Sequence, residues 1–178
     1  VETLIFGQAL KRALYPERLI IGSNLKRTVI KKPYLNLLKS FKCPLVQMNY
    51  ESAELAKISI NMYLISTVTT TNILSEVCEK IGGDWKDISE SLKLDKRIGK
   101  YAYLNPGLGI SGGNLERDLY TFQRLQDKNN LNNKFILELK KKSINRKMWI
   151  LNILAKLKKK YKLKCIAILG LAYKVGTH

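Results

Sequence analysis

From Glu51 to Ile81 apolar side chains recur at helical spacing: Leu55, Ile58, Met62 and Ile65, with Ile73 and Val77 extending the stripe. Gly82-Gly83 then stops the helix. The stripe is longer than the remainder of a small domain can cover, so part of it is expected to face a second subunit. The segment ahead of this helix is α/β in character. Residues 2–14 read as a helix ending before Tyr15-Pro16, and Arg18 to Gly22 reads as a short buried strand. Ser23 or Asn24 is placed to cap a helix over about 25–40. Cys43 to Gln47 is a second short apolar strand, broken by Pro44.

Beyond Gly83 the chain is mostly helical. Asp84 caps a short helix to about Leu92, a loop rich in Gly and Tyr covers 96–113, and a helix runs from about Asn114 to Asp127. A second long helix fills about 131–160, with Phe135, Ile136, Leu139, Ile144, Trp149, Ile150, Ile153 and Leu157 on its apolar side. Lys164 to Gly170 reads as a buried strand that begins a new unit. The chain opens at Val1 in mid-pattern, without a Met, and closes at His178 just after that apparent strand. It reads as a fragment of a longer protein or a severely shortened relative.

The 178 residues suffice for one or two domains with a real core. No run of eighteen apolar residues exists, so no transmembrane helix is expected, and no signal peptide is visible. Cys43, Cys78 and Cys165 are odd in number and far apart, with a single His in the chain. No metal site is expected from them. They read as reduced, partly buried thiols of a cytoplasmic protein. A net charge of +18 opens nucleic acid, acidic membranes and anionic substrates as partners. However, the densest lysine clusters, Lys140 to Lys142 and Lys156 with Lys158 to Lys160, sit among Ile, Leu and Trp on the last long helix. That pattern is the wet face of an amphipathic helix. No nucleic-acid motif accompanies the charge, so a nucleic-acid partner is disfavoured.

Chemistry concentrates in Asn105-Pro106-Gly107-Leu108-Gly109-Ile110-Ser111-Gly112-Gly113-Asn114-Leu115-Glu116-Arg117-Asp118. Glycines let a backbone approach a ligand, and a helix start presents unpaired N–H groups to an anion. A flexible turn before a surface helix is the competing reading. Lys57 and Asn61 lie four apart on the long helix and share a face. An ammonium beside an amide suits an oxyanion or a hydroxyl; a solvated Lys and a loop-facing Asn would look the same in sequence.

Taken in order, Glu54 to Asn61, Arg97-Ile98-Gly99, the glycine loop and Gly170-Leu171-Ala172-Tyr173-Lys174-Val175-Gly176-Thr177 resemble the UDP-glucose/GDP-mannose dehydrogenase family. The resemblance implies that Lys57 and Asn61 contact the sugar and polarise the oxygen at the reacting carbon, holding a water for the second half of the reaction. The family loop reads Pro-Gly-x-Gly-Phe-Gly-Gly-Ser-Cys-x-x-Lys-Asp. Pro106, Gly107, Gly109, Gly112 and Asp118 agree with it; Ile110, Ser111, Gly113 and Arg117 depart from it. Asn114 stands where the family has its nucleophilic Cys, and an amide is not a nucleophile. A helix cap is the plain physical role for Asn114. Glu2 matches a family glutamate that acts on water or the acyl-enzyme, although a helix-initial Glu is common for dipole reasons; Phe6 replaces a second one. Arg97 matches a substrate-site arginine, in some members supplied by the partner subunit; a surface Arg is the alternative. Tyr101, Tyr103 and Leu104 fall where the family lays contacts along the nucleotide. Lys174 belongs to the first turn of the UDP-binding domain in that comparison.

The implied fold is mostly α with short α/β remnants. It is the central helical domain of a 6-phosphogluconate-dehydrogenase-like dehydrogenase flanked by pieces of two Rossmann-like domains. Residues 1–47 would end the NAD-binding domain, 48–130 form the central dimerisation domain, 131–160 the connecting helix, and 161–178 the first strand of the UDP-binding domain. The full-length reaction would be NAD-dependent oxidation of a UDP-sugar 6-hydroxyl. No GxGxxG follows a strand here, so this fragment is expected to bind no NAD and to be inactive alone. The alternative is a non-catalytic dimeric module that keeps the fold without the reaction. The expected partners are a second copy, through the central helix, and a UDP-sugar in the full-length family, with no membrane.

Overall fold

The computed structural model describes residues 7–24, 29–110 and 113–170. The described residues divide into two compact units, one within residues 7–59 and one within residues 60–169. In the first unit, helix α1 (Ala9–Leu14) stops ahead of Pro16, which disfavours helical backbone in the residue before it. Strand β1 (Leu19–Ser23) pairs in parallel with β2 (Leu45–Asn49), Leu19 opposite Leu45 through Ser23 opposite Asn49. Parallel strands need a crossover, and α2 (Lys32–Ser40) lies between them in the chain. The helix expected over 25–40 therefore begins at Lys32, with Pro33 in its first turn, where a missing N–H removes no helical bond. Helix α3 (Tyr50–Ile81) follows β2 directly, and Asn49 Oδ1 caps it by accepting from the Ser52 N–H at 3.2 Å.

The second unit is helical. Gly82, at a φ of +77°, ends α3, and the Gly83 N–H closes back on the Cys78 carbonyl at 3.0 Å. Asp84 caps α4 (Trp85–Leu94) by accepting from the Lys86 N–H at 2.7 Å. A long loop leads to α5 (Gly113–Lys128), and α6 (Lys134–Tyr161) completes the unit. Met62, Ile65 and Cys78 of α3 are buried, as are Leu104 and Ile110 of the loop, Leu119 of α5, and Ile136 and Leu139 of α6.

Helix α3 has two faces. Met62, Ile65, Thr69, Asn72, Ser75 and Cys78 are buried, whereas Ile60, Tyr63, Thr70, Leu74, Val77 and Ile81 are exposed. The sequence stripe mixed the two: Leu55, Ile73 and Val77 are exposed, because periodicity alone cannot choose between two competing stripes. On α6 the same confusion arose. Phe135, Ile144 and Leu157 face outward, and the buried line is Ile136, Leu139, Ser143 and Arg146.

The strand expected from Lys164 to Gly170 does not form. Those residues carry no regular structure, and Ile166, Ile168 and Leu169 are exposed. A strand needs a hydrogen-bonded neighbour, and the sheet of the described residues contains only β1 and β2.

Candidate functional site

Buried polar groups hold the glycine loop. Thr71 Oγ1 donates to the Tyr103 carbonyl at 2.9 Å, and Trp85 Nε1 donates to the Leu104 carbonyl at 2.8 Å. The Gly107 N–H donates to Asn72 Oδ1 and the Ile110 N–H to Ser143 Oγ, each at 2.8 Å. Arg146 Nε donates to the Gly107 carbonyl at 2.8 Å. These contacts satisfy backbone groups of the loop that no ladder can reach, those of buried Leu104 and Ile110 among them.

Gly109 sits at a φ of +92°, and a Cβ added there would lie 2.8 Å from the Ser143 carbonyl oxygen and Oγ. Gly109→Ala is therefore expected to destabilise the protein by about 3 kcal/mol, from backbone strain plus a clash with helix backbone. Urea denaturation would show this as a lowered midpoint at unchanged slope. An unchanged midpoint would mean that the loop is not held against α6.

Asn61 and Asp118 meet across α3 and α5: Asn61 Nδ2 donates to Asp118 Oδ2 at 2.6 Å. Asp118 is only 4% exposed, and the Arg117 guanidinium lies 3.0 Å from its Oδ1. Lys57 is half-buried, one turn before Asn61 on α3. Asn114 is the second residue of α5, one turn before Asp118, and it is exposed. It lies inside the first turn rather than at the cap. Arg97 points to solvent, with Nη2 2.6 Å from Asp95 Oδ2. The side-chain hydrogen bonds from Arg97, then the bond from its backbone N–H, hold the Asp95 carboxyl below its usual range. Tyr101 and Tyr103 have exposed side chains, and Leu104 is buried, offering its carbonyl to Trp85. Glu2, Phe6, Ser111, Gly112, Lys174 and His178 lie outside the described residues.

A cavity of about 280 Å³ opens elsewhere on the second unit, between α3, Gly109 and α6. Asn72, Glu76, Ser143, Arg146 and Trp149 are among its lining residues; Lys57, Asn61, Asn114 and Asp118 are not. Among the described residues no cluster of three or more His, Cys, Asp or Glu could hold a metal ion. No helix among them is long and apolar enough to cross a membrane.

The profile of the UDP-glucose/GDP-mannose dehydrogenase family, central domain, matches residues 51–146. The chain belongs to this family. It is 34% identical to a UDP-glucose 6-dehydrogenase of Rickettsia bellii (strain RML369-C), over 99% of this chain and 41% of that protein. It is 27% identical to a UDP-glucose 6-dehydrogenase of Bacillus subtilis (strain 168), over 99% of this chain and 38% of that one. A solved UDP-glucose dehydrogenase from the archaeon Pyrobaculum islandicum superposes with a TM-score of 0.68 at 25% identity, covering 90% of this chain and 36% of its own. The chain thus spans about two fifths of the length of these relatives. The expected fold class, a mostly helical central domain with α/β remnants, is borne out by the six helices, the single two-stranded parallel sheet among the described residues and this neighbour.

Family membership brings NAD into question, and the described residues do not fit it by themselves. A dinucleotide site needs a glycine turn between a strand and a helix N-terminus. Here β2 runs straight into α3. Beside Gly22 of β1, the position of an added Cβ lies 3.1 Å from Ala53 Cβ and 3.2 Å from Tyr50 Cδ1. Gly22 is therefore packed closely against the start of α3.

Sequence reasoning missed Thr71, Asn72, Ser143 and Arg146. The Thr69-Thr70-Thr71-Asn72 run interrupts an apolar helix, and Arg146 interrupts an apolar stripe. Such interruptions on a buried face are the signal for backbone-holding polar groups.

Proposed function

We propose that this chain is the central, sugar-handling portion of an NAD-dependent nucleotide-sugar 6-dehydrogenase acting on a UDP-hexose, and that it is catalytically silent alone. The observation that carries this is the Asn61–Asp118 hydrogen bond, which ties the two segments that match the family's motifs into one polar cluster. In this reading Lys57 and Asn61 bind and polarise the oxygen on the reacting carbon. Asp118, hydrogen-bonded to Asn61 and paired with Arg117, orients Asn61 and offers carboxylate oxygens as a proton acceptor near the substrate hydroxyl. The loop at Gly107, Gly109 and Gly112 brings backbone against the nucleotide sugar, with Arg97, Tyr101 and Tyr103 exposed for it or for a partner subunit. Residues 48–130 form the dimerising domain and 131–160 the connecting helix.

The test is a full-length protein containing this chain, supplied with NAD and UDP-glucose, with Lys57→Ala beside it. NADH release that depends on UDP-glucose, and falls at least about 100-fold in Lys57→Ala, supports the reading. A protein that neither reduces NAD nor binds UDP-glucose supports the second reading, a non-catalytic dimeric module. Asn114, an amide where the family has its Cys, is the feature that favours it.

The chain as given is expected to bind NAD no more tightly than about 100 μM, about −5.5 kcal/mol. Calorimetry that returned a tighter constant would show that a cofactor cradle assembles without the glycine turn.

A further inference from the structure

Gly107 is gripped from both sides. Its N–H donates to Asn72 Oδ1 and its carbonyl accepts from Arg146 Nε, each at 2.8 Å. Arg146 is a buried cation, 4% exposed. Its Nη1 pairs with Glu76 Oε1 at 2.8 Å, and its guanidinium lies 4.1 Å from the centroid of the Trp149 ring. A buried charge is costly unless it is paired and hydrogen-bonded, so a fold that only needed to fill this place would use an apolar residue. Moreover, the space around these groups is not packed solid: the 280 Å³ cavity is lined by Asn72, Glu76, Gly109, Ser143, Arg146 and Trp149. The loop is therefore held here by directed polar contacts, and its place depends on the Arg146 fork.

We infer that Arg146 is a positioning residue for the nucleotide-sugar site. It fixes the Gly107 carbonyl so that residues 103–110 keep the form that receives the ligand. Glu76 and Trp149 orient the guanidinium, and Asn72 holds the other side of the same glycine. The inference rests on the nucleotide-sugar reading of the site. Lysine is a poor substitute, because a single ammonium cannot serve the Gly107 carbonyl and Glu76 in the same planar geometry.

The test uses a full-length protein containing this chain, with Arg146→Ala and Arg146→Lys, and UDP-glucose as the probe. Amide hydrogen exchange in residues 104–110 is expected to quicken at least about tenfold in Arg146→Ala, while helical amides at 72–78 keep their protection. Affinity for UDP-glucose, measured by calorimetry, is expected to fall at least about tenfold. Arg146→Lys should fall between the two, and millimolar ethylguanidinium, entering beside the cavity, should restore part of the affinity of Arg146→Ala. Faster loop exchange with unchanged affinity overturns the inference, as does unchanged exchange in both variants. If the unsubstituted protein has no affinity for UDP-glucose, the nucleotide-sugar reading fails and the inference falls with it. The exchange measurement, which needs no ligand, then identifies Arg146 as a residue of the fold alone. Should Arg146→Ala not fold, the Arg146→Lys pair of measurements decides.

Discussion

A full-length protein containing this chain is expected to release no more than one NADH per UDP-hexose, and Asn114→Cys is expected to raise the yield towards two. The first oxidation, alcohol to aldehyde, needs a base, polarising groups and a hydride acceptor. In the function proposed above, Lys57, Asn61 and Asp118 are the groups assigned to the first two needs. The second oxidation needs a tetrahedral adduct able to give up a hydride. A thiolate forms that adduct with the aldehyde carbon; the Asn114 amide does not, and only hydrated aldehyde remains. The second step should therefore quicken at least about 1,000-fold in Asn114→Cys, roughly 4 kcal/mol of barrier. The substitution is gentle for the fold, since Asn114 is exposed in the first turn of α5 and repacks nothing. That same turn lowers a thiol's pKa through the unpaired N–H groups of the helix start. Counting NADH per sugar decides the matter. Two NADH at about 1 per second or faster from the unsubstituted protein would show that the amide is no obstacle.

Features legible in the sequence are those with local causes. The end of α3 at Gly82, the Asp84 cap and the extent of α5 and α6 follow from turn and capping chemistry within a few residues. Lys164 to Gly170 failed for the opposite reason: strand character was present, but pairing is non-local and no partner is at hand among the described residues. Within the candidate site, spacing places Lys57 with Asn61 and Asn114 with Asp118 on shared helix faces, and the hydrogen bond from Asn61 to Asp118 joins the two helices. The groups that hold the loop were invisible because a polar residue in a helix is read as wet. Asn72, Ser143 and Arg146 are buried because the loop brings its own unpaired backbone to them.

The outer face of α3 carries the other large expected effect. Ile60, Tyr63, Leu74, Val77 and Ile81 are exposed, with Thr67 and Thr70 between them, at alternating steps of three and four residues. A folded chain that leaves such a stripe uncovered presents a continuous apolar seam to water. A second copy covers it most simply, because a stripe set against itself about a twofold axis meets identical spacing. The two threonines at its middle are small enough to let the helices approach closely. The protein is therefore expected to sediment as a dimer at low micromolar concentration. Leu74→Glu with Val77→Glu should raise the dissociation constant at least about 1,000-fold, since each copy would bring two uncompensated carboxylates into the seam, four in all at roughly 1 kcal/mol each or more. Helix content should not change, because neither side chain contributes to the buried face of α3. A well-folded monomer at high micromolar concentration, before any substitution, would mean that the seam is covered by something other than a second copy.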